Sequence, residues 1–338
     1  MSTRTPARRT DCLAVGIDIG GTSTELVGLD GEVATRSLLV PTRHGAALPE
    51  ATVRAVRSLV GSAPVERIGV GVPGQVDPAS GVVRNAVNLG IGSDGLRLGD
   101  LLAGALGAPV RVENDVRAAA LGAYRHLPGC AVGVLILLSI GTGVGAGVVI
   151  DGRIHRGRDG MAGEVGHMVF DPAGPPCACG LDGCLETLVS GRAIATRWRH
   201  GEGAATADLL RAASAGDPVA RELAAELTAT LARAIQWLVM TYGADVVVVG
   251  GGVGRLGAPL LAGVHEQLAR FAVRSAVAAR ALAPERVISA PADLPLGALG
   301  AAAAAPSLIG RESHDPRRIP PMQAPGAARE RSKSCEGT

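Results

Sequence analysis

The chain has 338 residues, 47% of them hydrophobic and 2% aromatic, and a net charge of +2 at pH 7. That length and apolar content allow two domains of ordinary size, each with a real core, and exclude disorder of the whole. The near-neutral balance gives no electrostatic case for nucleic acid, and so few aromatic rings leave no stacking platform for single strands.

Residues 1–13 carry Arg4, Arg8 and Arg9 with no apolar core, so they are expected to form a flexible arm rather than a secretory signal. From Ala14 to Gly31 the chain reads AVGIDIGGTSTELVGLDG, and from Leu135 to Gly152 it reads LILLSIGTGVGAGVVIDG; the two align without gaps, 121 positions apart. In each, an apolar run enters a glycine turn, leaves as a second apolar run and ends in Asp-Gly, the signal of a tight hairpin. This pattern predicts an internal duplication: two related α/β halves, each lending one phosphate-sized turn to a shared cleft.

Between the repeats, helices are expected at about Leu48–Leu59 and Asp115–Tyr124, with strands at Arg67–Val72 and Val110–Val112. The 24 uncharged residues between His126 and Asp151 are long enough to span a bilayer. Gly141, Gly143, Gly145 and Gly147 argue instead for buried strands joined by a glycine turn, because each would cost a helix about 1 kcal/mol. Further on, Leu185–Arg199 and Asp217–Tyr242 read as helices, the second with Asp217 at N-cap and Pro218 at N1. Val246–Val249 reads as a strand running into Gly250-Gly251-Gly252, followed by a helix at Pro259–Ala272, a strand at Arg286–Ala290 and a small-residue helix at Ala298–Ala305. Pro306 onward lacks apolar periodicity and reads as a disordered tail. The expected division is an arm (1–13), a small α/β domain (14–125), a larger one (126–296), a helix at about 297–306 returning to the first, and the tail (307–338).

Cys177, Cys179 and Cys184 follow His167 within eighteen positions, a closed tetrahedral donor set for structural Zn²⁺ in a loop over 167–184. A disulfide plus a spare thiol is the alternative, disfavoured because a Cys-x-Cys pair is too tight for easy bridging. Cys12, Cys130 and Cys335 are scattered without motif spacing and are read as free thiols, which suits a reducing, cytoplasmic setting. Asp18-Ile19-Gly20-Gly21-Thr22 follows a predicted strand, where glycine lets backbone N–H groups approach phosphate oxygens and the carboxylate can hold a metal through water. A purely structural glycine hairpin would look the same. Gly141-Thr142-Gly143 repeats the arrangement, and Gly250-Gly251-Gly252 adds a third turn suited to a nucleotide.

Taken with the cysteines, these residues resemble the ROK family of sugar kinases and repressors, within the actin-like ATPase superfamily, over about Val15 to Ala305. The motifs are DIGGT at Asp18, GVPGQVD at Gly71, END at Glu113, IGTGVGAG at Ile140, EVGH at Glu164, CACGLDGCLE at Cys177 and GGGV at Gly250. The resemblance implies two actin-like ATPase (ribonuclease H-like) domains flanking a cleft that takes sugar and Mg-ATP. It implies Asp115 as catalytic base and Asn114, Glu164, His167 and Glu186 as sugar ligands, with Gly74 and Asn88 approaching the sugar. It further implies that Asp18 positions Mg²⁺, while Gly20, Gly21, Thr22, Gly141, Thr142, Gly143, Gly250, Gly251 and Gly252 hold ATP. His167 would bind zinc through one ring nitrogen and a sugar hydroxyl through the other, so that zinc orients a binding residue without doing chemistry. One carboxylate accepting the attacking hydroxyl's proton is what phosphoryl transfer asks of the protein beyond positioning and charge neutralisation. Asp115 would also suit a helix N-terminus, and both readings can hold together.

Ser23 stands where many relatives have lysine, Arg117 where a small polar residue is frequent, and the interval from His167 to Cys177 is slightly short; neither Ser23 nor Arg117 is a catalytic group in this reading. The expected function is an ATP-dependent hexose kinase acting on glucose. N-acetylglucosamine, N-acetylmannosamine, allose or fructose fit the same motifs, and polyphosphate could replace ATP. The family's repressors carry a helix-turn-helix, for which the roughly 14 residues ahead of the first strand are too few. Expected partners are hexose and ATP, with no nucleic acid and no membrane, in a homodimer or homotetramer.

Overall fold

The computed structural model describes residues 13–199 and 204–306. The arm, apart from Leu13, and the tail over 307–338 lie outside the described residues, as do Cys12 and Cys335.

Strand β1 (Leu13–Ile19) pairs antiparallel with β2 (Ser23–Asp30), which pairs antiparallel with β3 (Val33–Pro41). Helix α1 (Leu48–Val60) leads to β4 (Val65–Val72), parallel to β1; a small hairpin of β5 (Gln75–Asp77) and β6 (Val82–Arg84) and helix α2 (Leu98–Leu106) precede β7 (Val110–Asn114), parallel to β4. The first sheet therefore has the order β3-β2-β1-β4-β7. Helix α3 (Asp115–His126) starts at the residue after β7.

The second half repeats the plan. Strands β8 (Val134–Ile140), β9 (Val144–Ile150) and β10 (Arg153–His155) form an antiparallel meander, and β8 starts and ends 121 positions after β1. Helices α4 (Leu185–Val189), α5 (Gly191–Arg197), α6 (Ala205–Ala215) and α7 (Pro218–Tyr242) follow. Strand β11 (Val246–Gly250), the short α8 (Gly251–Gly254), α9 (Ala258–Arg274), α10 (Ala276–Ala281), β12 (Val287–Ser289) and α11 (Leu296–Ala304) complete the chain. The second sheet, β10-β9-β8-β11-β12, has the topology of the first, with β11 parallel to β8 and β12 parallel to β11. The Asp-Gly signals both sit at hairpins: Gly31 at φ 63 opens one, and Asp151 and Gly152 at φ 48 and 75 form the other.

The 24-residue uncharged stretch folds into β8 and β9, and no helix among the described residues is long and apolar enough to cross a membrane. The helix expected over Leu185–Arg199 is two helices, because Ser190 turns extended and its hydroxyl caps α5 by accepting from the Ala193 N–H at 3.1 Å. Asp217 caps α7 as its sequence suggests, accepting from Ala220 N–H at 2.8 Å. Strand β3 and helix α2 escaped the sequence reading for physical reasons. β3 is an edge strand with an almost wholly exposed face, so it lacks alternation, and α2 carries Gly99 and Gly104.

Strand β1 is apolar apart from Asp18 because both its faces are covered. Val15, Ile17 and Ile19 point into the core under α1 and α2, while Ala14 packs against Ala298 and Ala302 of α11. The close approach is made by glycine. A β-carbon at Gly16 would lie 1.9 Å from the Ala298 carbonyl oxygen, one at Gly69 1.7 Å from that of Ala301, and one at Gly300 1.7 Å from that of Ala118 in α3. Helix α3 packs on the other sheet, its Ala120, Leu121 and Ala123 meeting Leu135, Leu137 and Val149. Thus α11 lies on the first sheet, α3 on the second, and the two helices pack on each other. Gly69→Ala is expected to destabilise the protein by at least about 2 kcal/mol, read as a lower urea midpoint at unchanged slope.

Candidate functional site

Two carboxylates converge where β1 and β7 end. Asp18 in β1 is in register with Gly71 of β4, and Gly71 with Glu113 of β7. Because Gly71 has no side chain, both acids fit above it: its β-carbon position is 3.6 Å from Asp18 Oδ1 and 3.5 Å from Asp115 Cα. Gly297, in the first turn of α11, comes so close to Asp18 that a β-carbon there would be 2.1 Å from Oδ2. Asp115 opens α3, where its neighbour Asn114 is the cap: Asn114 Oδ1 accepts from Arg117 N–H at 3.2 Å, and Asn114 Nδ2 donates to Asp115 Oδ1 at 3.0 Å and to Gly74 O at 3.3 Å.

Both acids are half-buried at the surface but crowded by protein atoms, and this desolvation is the main cause of their raised pKa values. Asp18 is lifted to about 7, with Asp115 and Glu25 adding repulsion and Arg255 opposing it. Asp115 is lifted to about 6, with backbone N–H donors opposing the shift and Glu164 adding to it. A carboxylate poised near neutral pH suits general-base work, and a second one beside it suits a cation that would restore its charge.

The glycine turns flank these acids. At the first, Gly20 N–H donates to Ser23 O at 2.9 Å, Thr42 Oγ1 donates to Gly20 O at 2.8 Å, and Asn88 stands beside Gly21. At the second, Gly141 N–H donates to Gly143 O at 2.9 Å, and Gly191 N–H donates to Gly141 O at 2.8 Å. The third adjoins the second: a β-carbon at Gly141 would be 3.9 Å from Gly252 N, and Gly251, at φ 77, admits no side chain because Ile140 O would be 2.5 Å away. Glu186 belongs with the second turn, accepting from Val144 N–H at 3.3 Å and from Arg192 Nη2 at 3.2 Å. Glu164 is half-buried and its charge is felt at Asp115, whereas His167 is exposed. Gly163 and Gly166 pin the segment between them to β9, since side chains there would strike Ala146 O and Val144 O.

His167, Cys177, Cys179 and Cys184 bring their ligand atoms within 4.8 Å of one another. Cys177 Sγ is 3.6 Å from His167 Nδ1, and Cys179 Sγ is 3.6 Å from Cys184 Sγ. A tetrahedron with Zn–S of about 2.3 Å sets neighbouring sulfurs roughly 3.8 Å apart, so the donor set fits that ion; a disulfide needs about 2.05 Å, and none forms. Burial and the two neighbouring sulfurs hold the Cys184 thiol well above its ordinary range, a conflict that a dication resolves. Gly183 at φ 64 is obligatory in this knuckle, because a β-carbon would sit 1.4 Å from Asp171 O.

A buried charge cluster behind Asn114 and Asp115 was not found by the sequence reading. Glu113 (1% exposed) accepts from Arg117 Nη1 (residue 2% exposed) at 3.3 Å, from Arg156 Nε at 2.8 Å and from Asn114 N–H at 3.1 Å. Arg117 Nη2 also donates to Gly160 O at 2.5 Å. The spacing of Glu113 and Arg117 was the available signal; nothing local pointed to Arg156.

Compared with known proteins, the sequence matches the ROK family over residues 14–307. It is 32% identical to a glucokinase of Thermotoga maritima over 88% of this chain and 98% of that one. It is 37% identical to an N-acetylmannosamine kinase of Escherichia coli over 71% and 83% of the two chains. The structure superposes with a TM-score of 0.71 on the crystal structure of a ROK family glucokinase from Streptomyces griseus in complex with glucose and AMPPNP, 30% identical and covering 87% of this chain and 99% of that one.

The raised pKa of Asp18 makes a prediction with a definite sign. Its folded value of about 7 lies above the ordinary 3.8, so its contribution to stability is fully present below about pH 4 and is lost as pH rises through 7. Asp18→Asn is expected to stabilise the protein in Mg²⁺-free buffer at pH 8 by on the order of 2 kcal/mol, and by nothing measurable near pH 4. Denaturant titrations at the two pH values check this.

Proposed function

The chain belongs to the ROK family as a sugar kinase, and on that premise we propose that it transfers the γ-phosphoryl group of Mg-ATP to the 6-hydroxyl of a hexose, with glucose as its substrate. The observation that carries the reading is Asp115. It stands at the first residue of α3, held by Asn114 and lifted to about 6, next to Asp18 and within the field of Glu164. At neutral pH such a group is ionised and still basic enough to take the proton of an attacking hydroxyl.

In this reading Asn114, Glu164, His167 and Glu186 hold sugar hydroxyls, with Gly74 and Asn88 at the edge of the sugar. Asp18 would hold Mg²⁺, and the turns at Gly20-Gly21-Thr22, Gly141-Thr142-Gly143 and Gly250-Gly251-Gly252 would hold ATP by backbone N–H groups, which glycine leaves accessible. Bound Mg²⁺ would neutralise charge on the transferring group. Water competes for the same phosphoryl group. A cleft that completes Asp115 and the turns only when sugar fills it suppresses that loss.

Zinc at His167, Cys177, Cys179 and Cys184 would serve as structure. With Nδ1 facing Cys177, it would fix the imidazole and leave Nε2 to donate to a sugar hydroxyl. A 2-acetamido sugar is the second reading, favoured by the identity to N-acetylmannosamine kinases.

The test is a coupled assay of ADP release from Mg-ATP across hexoses and 2-acetamido hexoses. Glucose should give the highest kcat/KM, and Asp115→Asn should lower kcat by at least about 10³-fold with sugar binding retained; no turnover on any sugar sinks the kinase reading. Replacing Cys177 and Cys179 together by serine should release the zinc found by metal analysis and raise the sugar KM by about tenfold or more. Zinc retained at one equivalent would disprove that ligand set.

A further inference from the structure

We infer that Arg117 and Arg156 are positioning residues that tie Asp115 and Glu164 to each other through the buried carboxylate of Glu113. The inference rests on the kinase reading for its enzymatic arm, and its structural arm stands independently.

Three elements meet at this carboxylate. Glu113 is the next-to-last residue of β7, and its Oε1 accepts the backbone N–H of Asn114, fixing the peptide that aims Asn114 and Asp115. Arg117 lies in the first turn of α3. Its backbone N–H goes to the Asn114 side chain, and its guanidinium bridges Glu113 Oε1 and Gly160 O. Arg156 follows β10 and donates Nε to Glu113 Oε2. The segment from Arg156 to Gly160 is thus held at one end by Glu113 directly and at the other by Arg117, which Glu113 holds in turn. Three residues beyond Gly160, Gly163 gives its carbonyl to Ala146 N–H at 2.7 Å, and Glu164 follows. Asp115 comes from the first half of the chain and Glu164 from the second; the described hydrogen bonds that join their two segments run through Arg117 and Arg156.

The energetics favour tethering over simple stabilisation. A buried ion pair contributes little net stability after desolvation, whereas its geometry is exacting. Guanidinium is also the side chain that can serve two acceptors at fixed angles, which an ammonium cannot reproduce. Removing Arg117 leaves Glu113 paired with Arg156, so the fold should persist. Gly160 O, however, loses its donor and the tether is cut. None of the glycine turns shares a hydrogen bond with the three charged residues, so the nucleotide side should be insensitive.

The experiment compares Arg117→Met, which keeps most of the volume, with Arg117→Lys and wild type, using glucose and Mg-ATP as the varied substrates. For Arg117→Met the sugar KM should rise and kcat fall by about tenfold each, with the Mg-ATP KM within about twofold of wild type. Arg117→Lys should recover part of the loss. Amide hydrogen exchange over residues 156–164 should be about tenfold faster in Arg117→Met while the rest of the second sheet is unchanged. That readout decides the tether even if no sugar is turned over, the outcome that would sink the kinase reading alone. Unaltered exchange together with a sugar KM and kcat within about twofold of wild type would overturn the inference, as would an equal rise of both KM values accompanied by uniformly faster exchange.

Discussion

The contact between α3 and α11 is the constraint on which the rest depends. Both helices lie between the two sheets; α11 approaches β1, β4 and α3, and α3 approaches β9, at distances only glycine permits, with carbonyl oxygens where β-carbons would otherwise be. Cohesion there comes from dispersion and from burial of mostly small side chains, with Leu296 of α11 packed among Ala120, Leu121 and Ala123 of α3. The same contact sets the chemistry. It places Gly297 against Asp18, and Asp115 at the start of α3 beside Gly71, so the two acids are crowded by protein atoms. Their raised pKa values follow from this position.

Electrostatically the site has two zones with opposite logic. In front, Asp18 is repelled by Asp115 and Asp115 by Glu164, with Arg255 and Arg117 opposing but not cancelling the upward shifts, a costly arrangement that a protein retains where a ligand or metal repays it. Behind, Glu113 is matched more than once over by Arg117 and Arg156. Glu113, Asn114 and Asp115 sit on adjacent residues of one strand–helix junction, which makes their positioning depend on rigid elements.

The zinc-type knuckle is joined to this site by short covalent links. His167 is three residues from Glu164, and Glu186 is two beyond Cys184. A metal that fixed four donors would therefore fix the ends of two segments that reach toward the second glycine turn and Asp115. The backbone pairs Leu185 N–H to Met168 O and Phe170 N–H to Gly183 O already align these segments.

Much was legible in the sequence because it is written in short-range signals. The paired glycine hairpins 121 residues apart, the cysteine spacing, the Asp217 cap and the runs of β-branched residues depend on neighbours in the chain, and the structure has two sheets of one topology to match them. Ser190 was missed because its cap breaks what otherwise reads as one helical period, and β3 because an exposed edge strand needs no alternation. Tertiary structure alone decided which far-apart residues meet: Gly69 with Ala301, Gly71 with Asp18 and Asp115, and Arg156 with Glu113. It also turned Glu186 toward Val144 and Arg192. Periodicity and spacing report the local preferences of a chain, whereas desolvation, ion pairing and close packing depend on atoms brought together from distant positions. The sequence by itself therefore determined the elements and the kinds of chemistry available, and only the fold decided which carboxylates are lifted toward neutral pH and which arginines pair with Glu113.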